Sequence, residues 1–172
     1  MNNQLKYCLH EMFRRQARRT PDAIAVVDPD KNKSMTFKEL DVASDIIATN
    51  LRHKGVKVDS IGGIYMDKCL EYVVAYIGIL KAGGAYLPLD VSYPPALLNM
   101  VLQDAEPVAV ISTGSWVSLL PANVETIVMD DGWQTSVEQE NNAKGDIEPF
   151  TSSLDDLAYV VYSSGTTGKP KG

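Results

Sequence analysis

Between Ile61 and Met129 the chain changes its hydrophobic period again and again, and that alternation constrains its fold more than any other feature. Ile61–Met66 is a short apolar run suited to a buried strand. Leu70–Ala82 then places Leu70, Val73, Val74, Ile77 and Leu80 on one helical face, and Gly83-Gly84 follows as a helix stop. Ala85–Leu89 is strand-like again. Pro94-Pro95 opens a helix running to about Ala105, since a proline at the first helical position loses no hydrogen bond. Val108–Ser112 is a third strand, Ser115–Leu120 a short helix, and Glu125–Met129 a fourth strand. Strands alternating with helices predict βαβ units, an α/β fold and a mostly parallel sheet.

Upstream, Leu5–Ala17 has helical spacing, with Leu9, Met12, Phe13 and Ala17 forming an apolar stripe. Thr20-Pro21-Asp22 ends it, Ala23–Val27 reads as a strand, and Pro29–Lys33 as a polar turn. A second helix has unusually clear start signals. Thr36 is the candidate N-cap, Glu39 three positions later completes a capping box, and Met35 with Leu40 can form a hydrophobic staple. Its stripe runs through Leu40, Ala43, Ile46, Ile47 and Leu51, and Gly55 ends it. Asp130–Asp156 is polar and reads as a loop or surface excursion.

Composition narrows the function classes. The 172 residues suit one domain, with 45% hydrophobic and 22% charged residues in ordinary globular proportion. The formal net charge is 16 − 22 = −6, which argues against the basic face of a nucleic-acid-binding domain. No apolar run approaches the ~18 residues of a membrane span. Met1–His10 has no apolar core for a signal peptide, so a cytoplasmic protein without a membrane partner is expected. Cys8 and Cys69 are too few and too far apart for a disulfide framework or a zinc site, and no metal site is expected. His10 and His53 fall on helical patterns, and no catalytic role is expected of either.

The chemistry concentrates at the end of the chain. Leu157–Tyr162 is a β-prone apolar run. It feeds Ser163-Ser164-Gly165-Thr166-Thr167-Gly168-Lys169-Pro170-Lys171-Gly172, which holds three glycines, four hydroxyl residues and two lysines. Glycines let a ligand approach the backbone, successive N–H groups can form an anion-binding concavity, and lysine adds a positive charge. The composition suits a polyphosphate cradle; a flexible Gly/Ser linker is the alternative. It is not a Walker A loop. The first glycine of that motif would fall at Ser163, and Pro170 stands where the magnesium-binding hydroxyl should be.

Leu157-Ala-Tyr-Val-Val-Tyr-Ser-Ser-Gly-Thr-Thr-Gly-Lys-Pro-Lys-Gly172 resembles the phosphate-loop signature of the adenylate-forming (AMP-binding) superfamily. Leu80-Lys-Ala-Gly-Gly-Ala-Tyr-Leu-Pro-Leu-Asp90 and Met35-Thr-Phe-Lys-Glu-Leu40 resemble two earlier core motifs of amino-acid-activating adenylation domains from nonribosomal peptide synthetases. Leu9-His-Glu-Met-Phe13 through Val26 resembles the usual entry into such a domain. The two earlier motifs also have structural readings: capping and core packing for the first, and core residues with a helix stop for the second. Tyr159 and Tyr162 read as packing residues of the strand below the loop.

The resemblance implies the N-terminal part of the large α/β domain of these enzymes, incomplete and ending at the phosphate loop. It implies ATP-dependent activation of a carboxylate, that of an amino acid, as an acyl-adenylate with release of pyrophosphate. Transfer to a phosphopantetheine thiol on a carrier domain would follow. The cofactors are then ATP with Mg2+, and phosphopantetheine on the carrier. By motif position, Ser163, Ser164, Gly165, Thr166, Thr167, Gly168 and Lys171 contact the ATP phosphates. Lys169 stands where the family varies, and Ser163 where many members carry Thr. The family's nucleoside-binding motifs, substrate pocket and C-terminal lid with the catalytic lysine lie downstream of this loop. The chain alone is therefore expected to be truncated and inactive, with open strand edges that invite aggregation. An acyl-CoA ligase fragment and a short non-catalytic binding protein are the alternatives.

Overall fold

A computed structural model describes residues 7–144, 151–163 and 171–172. Helix α1 (Leu9–Arg19) leads into an antiparallel hairpin of β1 (Ile24–Asp28) and β2 (Lys33–Thr36). Helix α2 (Phe37–His53) comes next. The central sheet then alternates strand and helix: β3 (Ile61–Tyr65), α3 (Leu70–Ala82), β4 (Ala85–Pro88), α4 (Pro95–Ala105), β5 (Ala109–Ser112), the short α5 (Gly114–Val117) and β6 (Thr126–Val128). Helix α6 (Trp133–Lys144) comes after the last strand. The four strands are parallel throughout, in the order β4-β3-β5-β6. This is the α/β architecture that the alternating periods predict.

Two cores cover the two faces of the sheet. The larger lies beneath α2, α3 and α6 and takes Ile64, Ala109, Ile111 and Ile127 from the strands. The other lies beneath α4 and takes Tyr65, Leu87 and Val110. Neighbouring residues of one strand thus enter opposite cores, as the pleat requires, and the strands are apolar on both faces.

The capping box at α2 is formed: Glu39 N–H donates to Thr36 Oγ1 at 3.2 Å, and Thr36 N–H donates to Glu39 Oε2 at 2.8 Å. Gly83 caps α3 at φ 93°, a left-handed position that only glycine adopts freely. The tightest helix contact is between α2 and α3. A β-carbon on Gly78 would lie 2.6 Å from Ile47 Cγ2. Beside it, Lys81 is buried and spans α3 to α2, with its Nζ 2.6 Å from Asp41 Oδ1 and 2.9 Å from Asp45 Oδ1.

Four details differ from the reading of the sequence. The first helix is Leu9–Arg19; of the expected Leu5–Ala17, residues 5–6 lie outside the described residues and residues 7–8 are not helical. Of its stripe, Leu9 and Met12 are about half exposed, while Ala17 is buried and Phe13 packs on the core. Strand β2 (Lys33–Thr36), which the sequence does not signal, starts at the last residue of the expected turn Pro29–Lys33 and runs to the N-cap Thr36. Helix α6 lies inside the stretch read as loop. It buries Trp133, Val137 and Asn141, and the polar Asn141 hides the stripe. Asn141 accepts from Asn50 Nδ2 at 3.2 Å and donates to the Ile46 carbonyl at 3.0 Å, and so docks α6 on α2. Finally, Leu157–Tyr162 is bridged to the sheet at one point rather than forming a full strand. Among the described residues no helix is long and apolar enough to cross a membrane.

Candidate functional site

The segment Leu157–Tyr162 runs parallel to β4 along the open edge of the sheet. Tyr86 N–H donates to the Ala158 carbonyl at 3.1 Å, and Val160 N–H donates to the Tyr86 carbonyl at 3.0 Å. Its start is held from below. Leu157 N–H donates to Asp59 Oδ1 at 2.8 Å, and Asp59 sits at φ 62°, a conformation that Asp tolerates better than most residues. The side chains then alternate. Val160 and Tyr162 pack into the core beneath α4, while Leu157, Tyr159 and Val161 are exposed. Because this stem is parallel to the strands, the chain beyond it emerges at their carboxyl end, where open α/β sheets hold their ligands.

The glycine-rich loop starts at that point. Its two described ends meet: Ser163 N–H donates to the Lys171 carbonyl at 3.0 Å, and Lys171 N–H donates to the Ser163 carbonyl at 3.1 Å. The chain leaves at Ser163 and returns at Lys171, closing the base with two reciprocal hydrogen bonds. Both residues are exposed. Of the residues singled out for phosphate contact, Ser163 and Lys171 are thereby brought side by side. Ser164, Gly165, Thr166, Thr167 and Gly168 lie outside the described residues, as does Lys169.

The donor set at the loop base is a hydroxyl at Ser163 and an ammonium at Lys171, which suits the anionic tail of a nucleotide. The other opening at this end of the sheet does not suit it. A cavity of about 500 Å3 beside the ends of β3, β5 and β6 is lined by six carboxylates, including Asp67, Asp130 and Asp131, against three lysines. Three of those carboxylates have structural partners: Asp28 accepts from Lys31 N–H at 3.1 Å, Asp67 from Trp116 Nε1 at 2.9 Å and Asp130 from Gly114 N–H at 2.7 Å. Among the described residues no group of three or more His, Cys, Asp or Glu is placed to hold a metal ion.

Tyr162, which the sequence presents as a packing residue, has a partner that the sequence does not single out, Asp104. Tyr162 donates its hydroxyl to Asp104 Oδ2 at 2.5 Å, across 58 positions of sequence. Burial, reinforced by the hydrogen bond and the charge of Asp104, pushes the Tyr162 hydroxyl up to about 12. Nothing in local spacing connects the two. The one signal is a carboxylate in the last turn of α4, where the helix dipole disfavours it. His10 and His53 lie elsewhere: His10 Nε2 is 3.1 Å from Ser152 Oγ, and His53 Nδ1 is 3.4 Å from Asn141 Oδ1. Cys8 and Cys69 are free thiols.

A parallel sheet with helices on both faces, and the Ser163–Lys171 pair at its carboxyl edge, defines an α/β class of domain. The chain belongs to the AMP-binding enzyme family, whose sequence model matches residues 13–172. Among its relatives, bacitracin synthase 1 of Bacillus licheniformis is 41% identical over 165 residues, covering 95% of this chain and 3% of that protein. Tyrocidine synthase 1 of Brevibacillus parabrevis is 39% identical over 168 residues, covering 95% of this chain and 15% of that protein. The crystal structure of the nonribosomal peptide synthetase FmoA3 superposes with a TM-score of 0.78 at 34% identity, over 92% of this chain and 16% of the other. The chain thus spans a small part of the relatives it matches.

Proposed function

We propose that this chain supplies the N-terminal part of an adenylation unit, which activates the carboxylate of an amino acid with Mg-ATP. A carboxylate oxygen attacks the α-phosphorus and a C–O–P linkage forms. The bond from the α-phosphorus to the bridging oxygen breaks, and pyrophosphate leaves with the electron pair. The phosphopantetheine thiol of a carrier domain then attacks the acyl carbon: a C–S bond forms, the acyl C–O bond to AMP breaks, AMP leaves with the electron pair, and the thiol proton is released. In this reading Ser163, Ser164, Gly165, Thr166, Thr167, Gly168 and Lys171 hold the β- and γ-phosphates. They stabilise the charge that builds on the leaving pyrophosphate and keep it in line. Lys171 contributes a point charge and Ser163 a short hydroxyl donor.

One observation carries the reading: the paired loop base, Ser163 against Lys171, emerges at the carboxyl edge of a parallel sheet in a chain of the AMP-binding enzyme family. The identities of 39–41% to bacitracin and tyrocidine synthases favour an amino acid as the carboxylate. The test is ATP–pyrophosphate exchange by the gene product that contains these residues, screened across the amino acids. Exchange dependent on one or a few amino acids is expected. Lys171→Met should lower it by about 100-fold, the scale of losing one preorganised charge partner. Exchange absent with every amino acid, or unaffected by Lys171→Met, overturns the proposal.

A further inference from the structure

We propose that Tyr162 is the positioning residue of the Ser163–Lys171 loop base: the returning end, at Gly172, lies close against its ring, and its hydroxyl moors that base to α4 through Asp104. The inference deepens the proposed function and rests on it for its consequence on ATP; the mooring itself can be tested without it.

Three links meet at Tyr162, the first of them covalent: it directly precedes Ser163 in the chain. The returning end is laid on the ring: a β-carbon on Gly172 would lie 2.7 Å from Tyr162 Cε2, 2.8 Å from Cζ and 3.1 Å from Val160 Cγ1. Glycine alone permits that approach. Between these two ends stands the reciprocal pair Ser163–Lys171.

The third contact is the hydroxyl on Asp104, a charge-assisted hydrogen bond. With its hydroxyl held up at about 12, Tyr162 remains a donor at every physiological pH. Helix α4 is a firm mooring, because Leu98, Val101 and Leu102 are buried in the same core that Val160 and Tyr162 enter. Asp104 does nothing for α4 itself, since a carboxylate opposes the dipole in a last turn. Its place is explained by the tyrosine. A cradle of main-chain amides stabilises developing charge only when its donors are held before the ligand arrives. Tyr162 is linked to both ends of the base, to Ser163 through the chain and to Gly172 at its ring.

Hydrogen–deuterium exchange of the full chain tests the mooring. In Tyr162→Phe and Asp104→Ala, the Ser163 and Lys171 amides should exchange about tenfold faster, the scale of one lost hydrogen bond to a charged group. Amides of β3 and β5 should keep their rates. Asp104→Asn retains an acceptor oxygen without the charge and should exchange at a rate between those of the parent chain and Asp104→Ala. The double variant Tyr162→Phe/Asp104→Ala should be no faster than either single one. Unchanged rates at Ser163 and Lys171 in Tyr162→Phe overturn the inference, as does an acceleration shared equally by β3 and β5. Calorimetry with Mg-ATP separates it from the functional reading. If the gene product that contains these residues binds Mg-ATP, Tyr162→Phe should weaken binding about tenfold and Asp104→Asn less; equal binding by Tyr162→Phe overturns the positioning role. If that gene product binds none, the phosphate-loop reading falls, and the exchange rates still decide the mooring.

Discussion

Replacing Gly78 by alanine sets two opposing effects against each other in the most closely packed part of the fold. Alanine favours a helix interior over glycine by about 1 kcal/mol, and Gly78 lies in the middle of α3. Against this, the new methyl would sit 2.6 Å from Ile47 Cγ2, 2.9 Å from Ile47 Cβ and 3.2 Å from the Ser44 carbonyl oxygen. None of these atoms is the free end of a flexible chain. Ile47 is fully buried and branched, and Ser44 is locked by its hydroxyl on the Leu40 carbonyl at 2.6 Å. Relief therefore requires α2 to move as a body. Overpacking of this kind costs about 1–3 kcal/mol, and three simultaneous contacts place it at the upper end. The clash wins: Gly78→Ala should destabilise the chain by about 2 kcal/mol, net of the propensity gain. For a chain of this size that lowers Tm by about 4–8 °C.

Urea unfolding followed by far-UV circular dichroism measures the change as a lower midpoint at unchanged slope. A double-mutant cycle identifies its cause. Ile47→Ala costs about 2–5 kcal/mol by itself, but it removes the Cγ2 methyl that Gly78→Ala strikes. Its cost in the Gly78→Ala background should be smaller by at least about 1 kcal/mol. A Gly78→Ala chain as stable as the parent, or two strictly additive substitutions, would refute the packing account.

Two further outcomes concern the helix ends. Thr36→Ala removes the side chain that accepts from Glu39 N–H and should cost about 1 kcal/mol in urea unfolding, with Thr36→Ser restoring most of it. The Glu140 carboxyl is lowered from 4.5 to about 2, chiefly by its hydrogen bond with Lys144, and further by Asn50 and Lys54. Its folded form is the ionised one, so its contribution is complete above pH 4.5 and is lost as pH falls toward about 2. In a Trp116→Phe background, Trp133 fluorescence should report acid release of α6, and Lys144→Met should move that midpoint to higher pH. Superimposable acid curves would show that the pair does not hold α6.

The alternation of period from Ile61 to Met129 was enough to establish an α/β fold with a parallel sheet, because buried strands and amphipathic helices are local patterns. The capping box at Thr36 and the glycine stop at Gly83 were legible for the same reason: each satisfies backbone groups within a few residues. The hydroxyl, glycine and lysine content of residues 163–172 marks the loop as a candidate phosphate cradle from composition and order alone.

Tertiary structure alone decided the rest. Helix α6 forms although its buried face includes Asn141, because Asn50 and the Ile46 carbonyl satisfy that amide from another helix. The Lys81 ammonium is buried because Asp41 and Asp45 meet it across the α2–α3 contact. Asp104 and Tyr162 come together because a parallel stem returns to the edge of the sheet over α4. Local sequence records what a residue does for its own element. Partners supplied by other elements depend on how those elements cross, and no local pattern carries that information.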